Sequence, residues 1–202
     1  MNGRAPYGLV AVTCAVIMVV LGMLVSGQRQ SGPDELAVRW VERIFGPDTA
    51  LLRLLVSPTE AYVLIPVAVL TAVLCLVGGR QPEAVLTMVA PLVAILVNTW
   101  VLKPLFGRWK YTYLAYPSGH TVALVAVLTV LVLLARPGVA TGVIAVVGVV
   151  VLGGVTIGMI GLGYHYLTDV VGGTLFAVAT VCATWVLLTW AARRRAPVPS
   201  DG

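Results

Sequence analysis

Residues 117–169 read PSGHTVALVAVLTVLVLLARPGVATGVIAVVGVVVLGGVTIGMIGLGYHYLTD. Two runs without Asp, Glu, Lys or Arg, at about 120–135 and 139–161, are parted only by Arg136-Pro137-Gly138. A hydrocarbon core of about 30 Å takes roughly 20 apolar residues as a helix, and a Pro-Gly step turns a chain rather than continuing a helix. The segment is therefore expected to cross a bilayer twice. Its polar ends, Pro117-Ser118-Gly119-His120 and His165-Tyr166-Leu167-Thr168-Asp169, then return to one face. Each end carries one of the two histidines of the chain.

The rest of the sequence fits a membrane setting. Of 202 residues, 59% are hydrophobic and 10% charged, with a mean hydropathy of +1.00, outside the range of ordinary soluble domains. The expected fold is an all-α polytopic bundle. Six transmembrane helices are expected at about 8–26, 61–77, 84–102, 120–135, 139–161 and 170–191, forming one domain over 1–196 with a disordered tail at 197–202. The first run is longer than a signal-peptide core and lacks a small-residue cleavage site, so it is expected to be a retained span. Between it and the second span, Ser31-Gly32-Pro33-Asp34 resembles a capped helix start. Ala37, Trp40, Val41, Ile44 and Phe45 follow at helical spacing, with Asp34, Glu35, Arg39, Glu42 and Arg43 opposite them, and Gly46-Pro47 ends the pattern. This is expected to be a short amphipathic helix in the membrane interface.

The net charge of +5 does not point to nucleic acid, because no basic amphipathic element gathers it. Arg193, Arg194 and Arg195 directly follow the last apolar run, as a positive-inside anchor does. With six spans, both termini then lie in the cytoplasm of a cytoplasmic-membrane protein, as do the turns holding Arg80 and Arg136. Lys103–Gly119 and Leu162–Thr168 lie on the extracytoplasmic face. Cys14, Cys75 and Cys182 sit inside apolar runs without metal-ligand spacing and are expected to pack.

The polar segments on that face have a chemical logic. Ser118, Gly119 and His120 open a helix whose first N–H groups and dipole suit an anion. Lys103, Arg108 and Lys110 bring cationic donors, the equipment for a phosphate. His165 and Asp169 are spaced to put a carboxylate beside an imidazole, which fixes its tautomer and leaves the other nitrogen free. His120, with an ordinary pKa near neutrality, is placed to protonate a departing oxygen. No acidic cluster for a divalent cation is visible, so neither metal nor other cofactor is expected.

Lys103 through Lys110, Pro117-Ser118-Gly119-His120 and His165-x-x-x-Asp169 resemble the three signature motifs of the type 2 phosphatidic-acid phosphatase (lipid phosphate phosphatase) superfamily. The resemblance covers the chain from about residue 60 onward. It implies hydrolysis of a phosphate monoester or diphosphate on a membrane lipid of the phosphatidate, phosphatidylglycerol phosphate or polyprenyl phosphate type. By the same resemblance, His165 is the nucleophile that becomes phosphohistidine, Asp169 orients it, and His120 is the general acid. Lys103, Arg108, Lys110, Ser118 and Gly119 hold the phosphate. Two departures stand out. Tyr111 replaces the proline of the first motif, and Gly158-Met159 replace the Ser-Arg pair of the third, removing one phosphate-binding arginine. Loss of one such donor lowers rates by about 10²- to 10³-fold, so a member that binds a phosphorylated lipid or a membrane partner without turnover is the second expectation.

Other polar and aromatic residues have structural explanations. Trp109, Tyr111, Tyr113 and Tyr116 suit an aromatic belt at the membrane boundary. Asn98 suits a helix–helix hydrogen bond, and the glycines from Gly138 to Gly163 suit close helix approach. Gly161 and Gly163 are also expected to shape the loop before His165.

Overall fold

The structure, a computed structural model, describes residues 5–27, 30–46 and 48–194. Pro47, Arg195 and the expected tail at 197–202 lie outside the described residues. Apart from connecting turns and one small hairpin, the described chain is helical. Its helices are α1 (Ala5–Val25), α2 (Gly32–Phe45), α3 (Thr49–Val56), α4 (Ala61–Val77), α5 (Gln81–Val97), α6 (Lys103–Phe106), α7 (Gly119–Leu134), α8 (Val139–Gly161) and α9 (Leu167–Arg194).

Five helical stretches are long and apolar enough to cross a membrane: Pro6–Val25, Thr49–Val77, Gln81–Phe106, Val139–Gly161 and Leu167–Arg194. The chain is a multi-pass helical membrane protein. The second stretch begins twelve residues before the expected start at 61, because α3 runs through a tight turn at Ser57–Thr59 into α4. The third continues from α5 through a π-helical turn at Asn98–Leu102 into α6. The apolar helix α7 has 16 residues and is roughly 24 Å long at the usual rise per residue. Several half-buried threonine hydroxyls in these apolar segments are satisfied within their own helices. Thr71, Thr129, Thr156 and Thr180 each donate to the carbonyl four residues back, at 2.7 to 2.9 Å, as hydrogen bonding in a medium without water demands.

Helix α9 is the hub, with α1, α5 and α7 packed on it, while α3 covers α8. Small residues allow the closest approaches. A Cβ on Gly172 would lie 2.3 Å from the Tyr116 ring, and one on Gly173 would lie 2.8 Å from the Ser118 carbonyl oxygen. These two glycines let α9 touch the loop that carries the PSGH motif.

The connection from α6 to α7 contains the element the sequence did not lead one to expect. Gly107 ends α6 at φ 57, and strands β1 (Trp109–Lys110) and β2 (Tyr113–Leu114) form a two-stranded antiparallel hairpin. Of the four aromatic side chains expected in a boundary belt, Trp109, Tyr111 and Tyr113 are exposed. Tyr116 is buried, donating from its hydroxyl to the Met18 carbonyl at 2.6 Å and meeting Phe106 edge-on at 5.1 Å. Tyr113 leans on His165 and donates to the Tyr164 carbonyl.

Helix α2 also differs from its sequence pattern in one respect. Leu36, Trp40 and Ile44 form an exposed apolar stripe and Val41 is buried, but Asp34, expected on the polar face, is 0% exposed. The reason is a partner 74 residues away, in the segment between α6 and β1.

Candidate active site

The polar segments meet at one end of the bundle. His165 lies in the short loop between α8 and α9, after a turn made by Gly163 at φ 71. His120 is in the first turn of α7 and faces it, the two rings 6.1 Å apart and inclined at 67°. The pair is asymmetric: His165 is 4% exposed, whereas His120 is open to the outside.

Asp169 stands behind His165. Its Oδ2 is 3.6 Å from His165 Nδ1 and accepts from the Tyr166 N–H at 2.9 Å. At 3.6 Å the imidazole contact falls short of a hydrogen bond, and Nδ1 is a buried nitrogen with no hydrogen-bond partner. Catalytic contacts are often long in substrate-free geometry and tighten in the complex. Burial pushes the His165 imidazole below its ordinary pKa; the neighbouring Asp169 opposes this, and the charges of Lys103 and Lys110 add to it. A neutral imidazole with its Nδ1 side turned to a carboxylate has the other nitrogen available as a nucleophile.

Arg108 is fully buried, and its guanidinium is engaged with carboxylates. Nη1 donates to Asp169 Oδ1 at 2.7 Å and to Thr168 Oγ1 at 2.6 Å, while Nη2 donates to Asp34 Oδ2 at 2.6 Å. Asp34 also accepts from the Ser31 N–H and Oγ–H at 3.0 and 2.7 Å and from the Thr168 N–H at 2.9 Å. Burial pushes the Asp34 carboxyl up, but the bonds from Ser31, Thr168 and Arg108 outweigh it and hold the group below the usual carboxylate range. Asp34 and Asp169 occupy equivalent places. Each sits in the first turn of its helix and accepts the N–H three residues back, Asp34 from Ser31 and Asp169 from Tyr166. The positive ends of α2 and α9 thus favour both carboxylates, with Arg108 bridging them. Asp34 was missed in the sequence as a site residue; its one signal was the S-x-x-D cap.

Two other cations stand at the site. Lys103 Nζ donates to the Leu114 carbonyl at 2.8 Å. Lys110 is 6% exposed, its ammonium 3.9 Å above the centre of the Tyr166 ring. Burial depresses its pKa from 10.5 to about 8, a drop opposed by Asp169. A polar cavity bounded by Gly107, Trp109, Lys110, Tyr111 and Tyr166 opens beside it.

The PSGH segment is built tightly. Ser118 is fully buried, its N–H donates to the Asp169 carbonyl at 3.0 Å, and its Oγ accepts from Thr121 Oγ1 at 3.0 Å. The α7 ladder begins with the Val122 N–H to the Ser118 carbonyl, so by helix geometry the N–H groups of Gly119 and His120 are the ones left to meet an anion. Asn98, at the start of the π turn, donates to the Pro117 carbonyl at 3.4 Å and its Oδ1 is buried without a partner.

The two positions that depart from the third motif have no room for the missing pair. A Cβ on Gly158 would lie 2.6 Å from the Leu52 carbonyl oxygen of α3, and Met159 is fully buried among Val56, Leu64, Leu124, Val127 and Val155. Here α3 occupies the space.

An apolar cleft of about 340 Å³ lies between α4, α5 and α7, lined by Leu64, Ile65, Val69, Met88, Leu92 and Ala123. His120, Ala123 and Val127 are spaced 3 and 4 apart on α7, so they share one face of that helix. Ala123 and Val127 line the cleft. Among the described residues no three His, Cys, Asp or Glu side chains gather as a metal-holding group. On the side of the histidines away from Asp169, Lys103, Lys110 and the first N–H groups of α7 supply positive charge, an arrangement able to hold an anion.

Comparison with known proteins agrees in fold. The crystal structure of the first transmembrane PAP2 type phosphatidylglycerolphosphate phosphatase from Bacillus subtilis matches with a TM-score of 0.71 at 18% identity, covering 92% of this chain and 97% of that one. Among curated proteins none matches. A model described as PAP2 superfamily matches residues 62–193, which take in Lys103, the PSGH segment, His165 and Asp169. The chain belongs to the PAP2 superfamily, the one its three motifs resemble.

Proposed function

We propose that the protein is a membrane lipid phosphate phosphatase that works through a phosphohistidine at His165. One observation carries this: a buried imidazole, backed by a carboxylate 3.6 Å away, faces a second, open imidazole at 6.1 Å within the field of Lys103 and Lys110. In the first step the free ring nitrogen of His165 attacks phosphorus. The bond from phosphorus to the lipid oxygen breaks, and His120 gives that oxygen its proton. In the second step water attacks phosphorus, His120 takes the water proton, and the P–N bond breaks to release phosphate. Asp169 balances the charge that His165 gains in the first step and loses in the second.

Lys103, Lys110 and the N–H groups of Gly119 and His120 hold the phosphate oxygens. Ser118 shapes the α7 N-terminus, and Arg108 serves Asp169 instead of the phosphate. The apolar cleft receives the hydrocarbon chain, its α7 wall leading from His120. With α7 as the sixth span, both termini lie in the cytoplasm and the site opens at the outer face of the cytoplasmic membrane. The substrate is a phosphatidate, phosphatidylglycerol phosphate or polyprenyl phosphate.

The protein reconstituted in nanodiscs with chelator is expected to release phosphate from long-chain members of such a panel faster than from short-chain analogues. Equal rates on soluble and long-chain phosphates would remove the cleft from the account, and no release from any of them would defeat the proposal. That last outcome, with retained binding, defines a second reading favoured by the closed space at Gly158 and Met159: a member that binds a phosphorylated lipid without turnover.

Lys110 supplies a further test. Inorganic phosphate is held by a cation that deprotonates near pH 8, so its inhibition constant is expected to rise as the pH passes upward through 8. Lys110→Arg, whose charge persists, is expected to abolish that rise. An unchanged pH dependence in Lys110→Arg would place Lys110 outside the phosphate site.

A further inference from the structure

We infer that Asp34 is a positioning residue for the reaction: by sharing Arg108 with Asp169, it leaves a net negative charge behind His165 and keeps the Asp169 carboxylate pointed at the imidazole. This rests on the proposed nucleophilic role of His165.

The charge count gives the reason. Asp34, Arg108 and Asp169 are all 0% exposed, so no solvent screens them. One guanidinium between two carboxylates leaves a formal charge of −1. Without the Asp34 charge, Arg108 at 2.7 Å would neutralise Asp169 alone, and His165 would face a neutral pair instead of an anion. The imidazolium character that develops when His165 forms its bond to phosphorus would then lack its counter-charge.

The geometry adds orientation. Asp169 Oδ1 is held by Arg108 and Oδ2 by the Tyr166 N–H, which fixes the carboxylate plane. Arg108 in turn is held by Asp34 at its other nitrogen, and Thr168 ties the three together. Its Oγ1 accepts from Arg108 at 2.6 Å and donates to Asp34 at 2.9 Å, while its N–H donates to Asp34 Oδ1. Through Asp34, α2 becomes part of the site.

The groups around His165 define what a titration reports. Asp169 comes from α9, His120 from α7, Lys103 from α6, and Lys110 and Tyr113 from the hairpin, with Arg108 and Asp34 behind Asp169. Asp34→Asn alters only the last of these.

The test uses the full-length protein in nanodiscs, labelled with ¹³C at histidine and titrated by NMR, with His120→Gln assigning the two signals. Asp34→Asn is expected to lower the His165 midpoint by about one pH unit, the scale of one unit charge removed a few ångströms behind its partner. It is also expected to lower kcat about tenfold with little change in KM, as for an interaction made chiefly in the transition state. Asp34→Asn combined with Arg108→Gln removes one charge of each sign and is expected to return the midpoint to within a fraction of a unit. A purely structural role would lower the melting temperature and leave the midpoint in place. An unchanged midpoint in Asp34→Asn overturns the inference. Where that variant fails to fold, a midpoint displaced by the full unit in the double variant does the same. Because the titration needs no turnover, inactivity of the wild type on every lipid phosphate would defeat the proposed function and leave this inference to the midpoint alone.

Discussion

His165→Ala is expected to reduce phosphate release from the preferred lipid to background, a loss of about 10⁴-fold or more, as removal of a covalent nucleophile does. The matching loss for His120→Ala is smaller, about 10²- to 10⁴-fold, the range of a general acid. It should also depend on the substrate. A lipid alkoxide needs a proton to depart, whereas an aryl phosphate with an acidic phenol does not. His120→Ala should therefore recover much of its rate on the aryl ester, and His165→Ala should recover none. Acid-labile phosphate on the protein, trapped by rapid quenching, should form in wild type and be absent in His165→Ala. Retention of more than about a hundredth of wild-type turnover by His165→Ala would remove the phosphohistidine from the mechanism. The burial of the two rings supports this division. His165, the proposed nucleophile, is 4% exposed with Asp169 behind it, and His120, the proposed acid, is exposed on the side from which a leaving group and water would be reached.

The sequence makes one level of this organisation legible and hides another. The membrane spans are written in runs of apolar residues, and the pair of apolar helices between His120 and His165 is enough to bring both to one end of the bundle. The cap motif at Ser31 is likewise a local signal with a local structural outcome. Asp34 is different. Helical periodicity groups it with Glu35, Arg39, Glu42 and Arg43, all exposed, and that period is correct for α2. Only a partner distant in sequence reverses its position, and a periodicity carries no information about partners. Arg108 is the same case from the other side. Its spacing from Lys103 suggests a phosphate ligand, yet two aspartates in the first turns of α2 and α9 claim its guanidinium. The hairpin at Trp109–Leu114 was hidden because an aromatic-rich segment beside a membrane already has an explanation in the boundary belt. At Gly158 and Met159 the sequence records a missing arginine, and the packing of α3 against α8 supplies the reason.

The largest stability effect is expected for Arg108→Met. The guanidinium bonds both Asp34 and Asp169, and its removal leaves two carboxylates facing each other in a dry site. Breaking a buried ion pair from one side typically costs about 3–5 kcal/mol. The pH dependence identifies the cause. In the wild type the Asp34 pKa is lowered on folding, so its contribution is present above the unfolded carboxyl value and fades as pH falls through the folded one. In Arg108→Met the sign reverses. Burial and the facing carboxylate raise the folded pKa, so the protein is least destabilised at acid pH, where a shared proton can bridge the two oxygens, and loses more as pH rises toward neutrality. Melting temperatures of Arg108→Met and wild type should therefore converge on acidification from pH 7 to pH 5 and diverge again on return. Arg108→Lys should fall between them, since one ammonium cannot present the planar fork that reaches Asp34, Thr168 and Asp169 together. If Arg108→Met melts with wild type at pH 7, the bridge does not hold α2 to α9, and the position of Asp34 must be maintained by Ser31 and Thr168 alone.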